Sequence, residues 1–183
     1  MSYRFVTGME DVTRPYNLVE NYSIAVGGHE ALASMAADGI ELECVVQLNA
    51  YDLDDDEDVV EDEVKYARNE TIPRLRIDIQ DLDDDDDVRT YIGNYFDRIV
   101  AFVTKRHAYT RKYVLFHCQA GVSRSTTAAC AYLMDSYRLS FDEALNDIKR
   151  VRNVDPNPWF RQQLMQWEET LRTRRAEMEQ DGE

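Results

Sequence analysis

A thiol and a guanidinium separated by five residues are the side chains of this sequence best suited to act together on one substrate atom. Cys118 comes first, Arg124 follows, and Ser125 lies directly after the arginine. A thiolate is a strong nucleophile, and the planar fork of arginine binds two oxygens of one phosphoryl group, which lysine cannot do. The Ser125 hydroxyl can donate to the Cys118 sulfur and make it a better leaving group. These residues favour transfer of a phosphoryl group onto cysteine, followed by its hydrolysis.

The elements predicted on either side place this cysteine in an anion-binding site. The apolar run at 113–116 predicts a buried parallel strand, and residues 126–134 predict a helix. A strand, a short loop and a helix N-terminus aim backbone N–H groups and a positive dipole end at one point. Gly121 allows the backbone to approach closely or to take a positive φ. The amides expected to cradle the phosphoryl oxygens belong to Gln119, Ala120, Gly121, Val122, Ser123 and Arg124.

The stretch from His117 to Ser125, with the sequence His-Cys-Gln-Ala-Gly-Val-Ser-Arg-Ser, resembles the Cys-x5-Arg signature of protein tyrosine phosphatases. Its fuller form is similar to the dual-specificity branch. Further segments resemble compact dual-specificity phosphatases in the same order along the chain: Leu75-x-Ile77-x-Ile79-x-Asp81, Tyr95-Phe96-Asp97, Ala131-Tyr132-Leu133-Met134 and Asn157-Pro158-x-Phe160. The resemblance implies that Asp81 is the general acid and that Asn157 supports the phosphate loop. We also expect His117 to orient the loop and favour the thiolate without touching substrate.

The identity of the acid stays open between two residues. Six aspartates crowd positions 81 to 87. Asp81 comes directly off the end of a predicted strand, so its position is the best fixed by the sheet. Asp83 lies two residues further into a loop that is unusually long and acidic for the family.

The spacing of apolar residues along the rest of the chain predicts an α/β fold. Further strands are predicted at about 22–26, 42–48 and 74–80, and further helices at about 29–38, 88–105, 141–151 and 158–171. This order predicts a central, mostly parallel sheet with helices on both faces and the site at the carboxyl end of a strand. By its resemblance the fold is protein tyrosine phosphatase-like.

We divide the chain into an N-terminal segment of uncertain structure at 1–21, a single catalytic domain at 22–174 and a charged tail at 175–183. The tail is expected to fray. Cys44 is expected to be a small core residue. His107 is expected to be exposed at the end of its helix.

The chain carries 36 acidic and 21 basic residues, a formal net charge of −15. This balance argues against nucleic acid and anionic membranes as partners, because both bind basic patches. The acidic run at 52–63 favours a solvated loop and helix start, with a docking surface for a basic partner as the alternative. Three cysteines without a Cys-x-x-Cys pair, the lack of a signal-peptide pattern and the lack of an apolar run of about 20 residues predict an intracellular, cytoplasmic or nuclear protein.

These observations predict a protein phosphatase that hydrolyses phosphotyrosine and phosphoserine or phosphothreonine through a phosphocysteine intermediate. Its partner would be a phosphorylated protein, with basic residues flanking the phosphorylated site as an option. We expect neither a cofactor nor a metal, because the scattered histidines and cysteines lack ligand spacing.

Three alternatives stay open: a catalytically weak module that binds phosphoproteins, an RNA 5′-phosphatase and an inositol-lipid phosphatase of the same superfamily. The presence of Cys118, Arg124 and an available aspartate opposes the first. The net charge opposes the second. The uncharged residues between Cys118 and Arg124 oppose the third, because that branch carries lysine within the loop.

Overall fold

A six-stranded sheet and five α-helices form the framework of the described part of the chain. The computed structural model describes residues 14–48, 59–67, 70–82, 91–107 and 110–181. The strands are β1 (Tyr16–Val19), β2 (Ile24–Gly27), β3 (Leu42–Leu48), β4 (Val59–Lys65), β5 (Thr71–Ile77) and β6 (Tyr113–His117). The helices are α1 (Ala31–Ala37), α2 (Phe96–His107), α3 (Arg124–Ser136), α4 (Phe141–Lys149) and α5 (Pro158–Asp181).

The strand order β1-β2-β6-β3-β5-β4 places β6, which leads to Cys118, inside the sheet. The strands β2, β6, β3 and β5 run parallel, while β1 and β4 pair antiparallel at the two edges. The prediction of a mostly parallel sheet is confirmed. Gly27 of β2 and Gln47 of β3 stand opposite His117, so the carboxyl ends of these strands meet beside the cysteine. Ligand sites of open α/β sheets form at such an edge.

Helices cover both faces of the sheet, as the sequence predicts. Residues of α2, α3, α4 and α5 share one core with the sheet, which includes Phe96, Phe116 and Phe160. On the other face, Met35 of α1 packs in a smaller core with Leu115. The strands β3 and β6 are covered on both sides, which explains why their sequences are almost continuously apolar. Cys44 lies in the larger core, the one that contains Phe116, as expected.

The sheet begins before the domain boundary that we placed at residue 22. The pairing of β1 with β2 runs from Tyr16 opposite Gly27 to Val19 opposite Ile24. Four residues followed by a 3-10 turn are too few to show a periodic pattern, so the sequence gives little sign of this strand. Residues 16–19 therefore belong to the same sheet as the strands of the predicted domain.

The second half of the acidic run is an edge strand and not the start of a helix. β4 pairs antiparallel with β5 along its whole length. Asp62 lies 2.7 Å from Arg74 and 3.2 Å from Arg76, and hydrogen bonds from Arg74 lower the pKa of Asp62. Two arginines of α2 contact Glu61. Such pairing with other elements stabilises a strand that its own sequence pattern does not reveal. Residues 52–58 lie outside the described residues.

The end of α2 differs from the sequence prediction, because His107 is buried. Its Nδ1 lies 3.0 Å from the Tyr132 hydroxyl oxygen, and its Nε2 lies 3.1 Å from the Lys112 carbonyl oxygen. Burial lowers the pKa of His107. These two contacts hold the imidazole against α3 and against the residue before β6, so the predicted exposure is wrong. The first part of the predicted helix is a 3-10 turn, Ile92–Tyr95, and residues 83–90 lie outside the described residues.

The C-terminal helix α5 continues to Asp181, so the expectation that the chain frays from residue 175 is wrong. Arg175 donates to the Met134 carbonyl at 2.7 Å. Residues 175–181 contain neither glycine nor proline, and most are good helix formers. This helix is the longest in the described residues, and neither it nor any other described helix is long and apolar enough to cross a bilayer.

Candidate active site

The loop from Cys118 to Ser123 joins the carboxyl end of β6 to the N-terminus of α3. The Cys118 N–H donates to the Gly27 carbonyl at 3.3 Å, which continues the pairing of β6 with β2 by one residue. The helix then begins at Arg124. Cys118 is only 1% exposed, so its sulfur lies inside the loop, where the Gly121 N–H donates to it.

Four consecutive carbonyls of this loop accept hydrogen bonds from groups outside it. The acceptors and donors, at distances of 2.7 to 3.1 Å, are Gln119 with the His29 amide, Ala120 with Arg152, Gly121 with Arg152, and Val122 with the Asp155 amide. In a planar trans peptide, the C=O and the following N–H point in opposite directions. The N–H groups of residues 120–123 are therefore turned toward the interior of the loop. Successive amides with this orientation form a concave anion site.

Gly121 has a backbone conformation that glycine adopts more readily than other residues do. Its φ is +70°, and a Cβ at this position would lie 2.6 Å from both the Gly27 carbonyl oxygen and the Gly28 nitrogen. Gly27 is equally confined, since a Cβ there would lie 2.6 Å from the Pro15 carbonyl oxygen. These glycines let the loop lie directly against the end of β2.

The Cys118 sulfur has two donors beside it. The Gly121 N–H donates to Sγ at 3.3 Å, and Ser125 Oγ lies 3.4 Å from Sγ. The sequence placed Ser125 beside the sulfur, and the structure brings the two together.

Arg124 is held at the edge of the loop, and its Nε donor is unbonded among the described residues. It is 7% exposed, and its Nη1 donates to the Ile79 carbonyl at 3.1 Å, just beyond the end of β5. Its Nε lies 3.5 Å from Asp81 Oδ2 but makes no hydrogen bond to any of the described residues. A phosphoryl oxygen entering the loop can take this donor.

Asp81 lies at the same edge, where it is bonded to the loop. Its Oδ1 accepts from Ser123 Oγ at 2.7 Å and from Asn157 Nδ2 at 3.0 Å. Asn157 is in turn fixed as the N-cap of α5, because its Oδ1 accepts from the Phe160 N–H at 2.8 Å. Asp81, the general acid by the resemblance, and Asn157, the support of the phosphate loop by the resemblance, therefore contact each other, and both contact Ser123 of the loop. Asp83 lies outside the described residues.

His117 is buried at the end of β6, and its ring is uncharged at neutral pH. Burial lowers the pKa of His117 to about 4, and the positive charges of Arg74 and His29 act in the same direction. Neither ring nitrogen has a hydrogen-bond partner among the described residues. An uncharged ring cannot attract a thiolate by its charge, so the expected role of His117 in favouring the thiolate is not supported on electrostatic grounds.

Arg152 is a site residue that the sequence analysis missed. It is 2% exposed, and it supplies the donors to two of the four loop carbonyls. One signal was available, because Arg152 continues the spacing of the buried residues Phe141, Leu145 and Ile148 of α4. Arg152 lies three residues beyond the end of α4, and an arginine at a buried position needs buried acceptors.

The other two cysteines lie apart from this chemistry. Burial raises the pKa of Cys44 to about 12, and burial likewise raises the pKa of Cys130. Both therefore stay protonated at neutral pH and are poor nucleophiles. Within the described ranges, no three histidine, cysteine, aspartate or glutamate side chains are grouped as metal ligands.

Comparison with known proteins identifies the family. The model of the dual specificity phosphatase catalytic domain matches residues 38–170. A 56-residue segment is 54% identical to human dual specificity protein phosphatase 2 and covers 30% of this chain and 18% of that protein. The chain thus spans under a fifth of this curated relative.

Two solved structures share the fold over nearly the whole described chain. Human DUSP28 superposes with a TM-score of 0.68 at 22% identity, covering 87% of this chain and 96% of that one. A mouse putative dual specificity phosphatase, complexed with zinc tungstate, superposes with a TM-score of 0.65 at 23% identity, covering 92% and 96%. Since the family model spans Asp81, Cys118, Arg124 and most of the sheet, the chain belongs to the dual specificity phosphatase catalytic domain family.

Proposed function

We propose that this protein hydrolyses phosphotyrosine and phosphoserine or phosphothreonine residues of proteins through a phosphocysteine intermediate. The observation that carries the proposal is the position of the Cys118 sulfur among inward-facing amides, with Arg124 and Asp81 at the mouth of the same loop. A nucleophile, a cradle for oxyanions and a carboxylate lie within one site.

In the first step, the Cys118 thiolate attacks phosphorus opposite the leaving oxygen. The new S–P bond forms as the P–O bond to the substrate side chain breaks. The amides of residues 120–123 and the guanidinium of Arg124 bind the three remaining phosphoryl oxygens, whose charge is spread in the transition state. Asp81, in its protonated form, donates its proton to the leaving oxygen.

In the second step, a water molecule attacks the phosphocysteine. Asp81, now a carboxylate, accepts a proton from this water while the P–S bond breaks. The Ser125 hydroxyl, 3.4 Å from Sγ, donates a hydrogen bond to the departing sulfur and stabilises the thiolate. Inorganic phosphate leaves, and Cys118 and Asp81 return to their roles once Asp81 regains a proton from solvent.

Apolar side chains close to Asp81 and Asn157 along the chain, or packed against such residues, support a substrate whose phosphate is carried on a side chain. Leu82, next to Asp81, is 49% exposed, and its carbonyl accepts from Asn157 at 3.4 Å. Tyr91 and Trp159 pack edge to face with ring centroids 5.2 Å apart, and Trp159 lies two residues after Asn157. An exposed leucine and an aromatic pair provide contact area for the ring or chain that carries the phosphate.

A preference for basic residues near the phosphorylated position is part of this proposal. The support is the net charge of −15 and the acidic stretches at 52–63 and 83–87. Within the first stretch, Asp62 and Glu61 are already paired with arginines, so they contribute little. The preference therefore depends on residues 52–58 and 83–87, which lie outside the described residues.

The test is turnover of a panel of phosphopeptides with either tyrosine or serine and threonine phosphorylated, compared with p-nitrophenyl phosphate. We expect release of phosphate from all three peptide classes, and loss of it in the Cys118→Ser variant. Cys118→Ser should still capture the same peptides, since the amides and Arg124 are retained. Capture of phosphopeptides by both proteins without turnover of any substrate would instead identify a binding module.

A further inference from the structure

Arg152 is a fully buried cation whose partners are all neutral oxygens. Its Nε and Nη2 donate to the carbonyls of Gly121 and Ala120 at 2.7 and 3.1 Å. Its Nη1 donates to the Arg14 carbonyl at 2.9 Å and to Asn17 Oδ1 at 2.8 Å. No carboxylate of the described residues forms an ion pair with it. Burial lowers its pKa, whereas the nearby charge of Cys118 acts in the opposite direction. A buried charge without an ion partner lowers the stability of a fold, so the burial of Arg152 needs a compensating role.

The contacts of Arg152 fix two consecutive peptide units at the least constrained point of the loop. Because glycine reaches many backbone conformations, the peptides on either side of Gly121 can rotate at low cost. Holding the Ala120 and Gly121 carbonyls on the outer side turns the N–H groups of Gly121 and Val122 toward the anion site. The Gly121 N–H, 3.3 Å from the Cys118 sulfur, has this orientation.

The other end of the guanidinium is anchored in the segment that starts the sheet. Arg14 lies two residues before β1, Asn17 belongs to β1, and the carbonyl of the intervening Pro15 accepts from the Gly28 N–H at 2.9 Å. The family match begins at residue 38, so this anchor lies outside the matched domain. One side chain thus joins the N-terminal strand to the phosphate loop.

We propose that Arg152 is a positioning residue that sets the direction of the loop amides, and that β1, through Asn17, is a working part of the oxyanion site. The inference builds on the proposed function only in taking the loop as the catalytic anion site. It concerns oxyanion binding, which can be measured without turnover.

The experiment measures tungstate affinity by calorimetry in full-length Cys118→Ser, together with kcat and KM for p-nitrophenyl phosphate in the Cys118 protein. Arg152→Met should weaken tungstate binding by about 10- to 100-fold, the usual effect of losing an outer partner that orients a binding group. It should lower kcat more than it raises KM, because the amides bind the transition state more tightly than the substrate. Arg150→Met is the control, since the side chain of the nearby Arg150 is 74% exposed and its ion pair among the described residues is with Asp147.

Arg152→Lys distinguishes the effect of the positive charge on tungstate binding from the effect of the planar guanidinium. Lysine keeps the positive charge but cannot bridge both loop carbonyls and Asn17 with a planar fork. We expect it to recover only part of the tungstate affinity. Full recovery by lysine, or wild-type affinity in folded Arg152→Met, would overturn the proposal.

Asn17→Leu removes the acceptor in β1 that binds Arg152 Nη1 and leaves the loop itself unchanged. This variant tests the proposal if Arg152→Met does not fold. It should weaken tungstate binding by about threefold to tenfold, equivalent to about one hydrogen bond. Unchanged tungstate affinity in Asn17→Leu would overturn the role of β1. Wild-type protein that binds tungstate in an Arg152-dependent way but turns over no phosphoester would contradict the proposed function and leave this inference standing.

Discussion

Protonation of His117 should account for a measurable part of the acid sensitivity of this protein. Burial lowers its pKa from 6.5 to about 4 in the folded state. The unfolded chain therefore binds the proton more readily, and stability falls as the pH decreases from 6.5 toward 4. Above this interval the contribution is fully present. At about pH 5, these two values correspond to a loss of about 2 kcal/mol in the free energy of unfolding.

The perturbation that isolates this effect is His117→Leu. Neither ring nitrogen of His117 has a hydrogen-bond partner among the described residues. Replacement by leucine therefore deprives none of those residues of a hydrogen bond. Urea unfolding of both proteins at about pH 7.5 and about pH 5 gives two free-energy differences. The wild type should lose about 2 kcal/mol more than the variant across this interval. His107, whose pKa is also lowered by burial, is present in both proteins and cancels.

The control is Ile24→Val, a buried position without a titratable group. It should lower stability by about 1 kcal/mol at both pH values. Equal acid losses in the wild type and His117→Leu would refute the reasoning, since the imidazole would then gain its proton without any cost to the fold.

The remaining predictions concern the chemistry and the substrate. Asp81→Asn should lower kcat by ~10²–10⁴, the usual contribution of a positioned acid, and less for a substrate with a good leaving group. Asp83→Asn is its matched control and should cost far less; the reverse order would place the acid two residues further along. Ser125→Ala should slow phosphocysteine hydrolysis more than its formation, so a burst of leaving group should precede a slow steady state; a slower first turnover without a burst would argue against a role on the departing sulfur. Peptides with lysine or arginine beside the phosphorylated residue should show higher kcat/KM at low salt, and the preference should fade as salt shortens the screening length to about 8 Å. Equal kcat/KM for basic and acidic flanks at low salt would remove the charge argument.

The sequence predicted those parts of the structure that depend on residues close together in the chain. The predicted strand at 42–48 matches β3 to the residue. The capping box that opens α4 is present, with Ser140 and Glu143 bonded reciprocally. Asn157 caps α5 directly before Pro158. Each of these depends on residues close in sequence, so a single sequence contains the whole signal.

The parts that the sequence did not predict depend on partners far along the chain. β4 lies in an acidic run and is stabilised by arginines of β5 and α2. His107 is buried because Tyr132 and the Lys112 carbonyl bond its ring. Arg152 donates a hydrogen bond to Asn17 of β1, more than 130 positions earlier in the chain. Such a distant partner leaves no mark in the residues near Arg152. The residue spacing indicates that Arg152 is buried, but it does not indicate that its acceptors are the loop carbonyls and Asn17.

The most direct test of the central claim is to trap the phosphoenzyme. Wild-type protein mixed with a phosphotyrosine peptide is quenched in acid within one turnover, and the phosphoryl group is located by mass spectrometry of proteolytic fragments. The account predicts phosphoryl on Cys118, more of it in Ser125→Ala, and none in Cys118→Ser, whose hydroxyl is too weak a nucleophile in this loop. Phosphoryl on any other residue, or turnover by Cys118→Ser within about tenfold of the wild type, would contradict it.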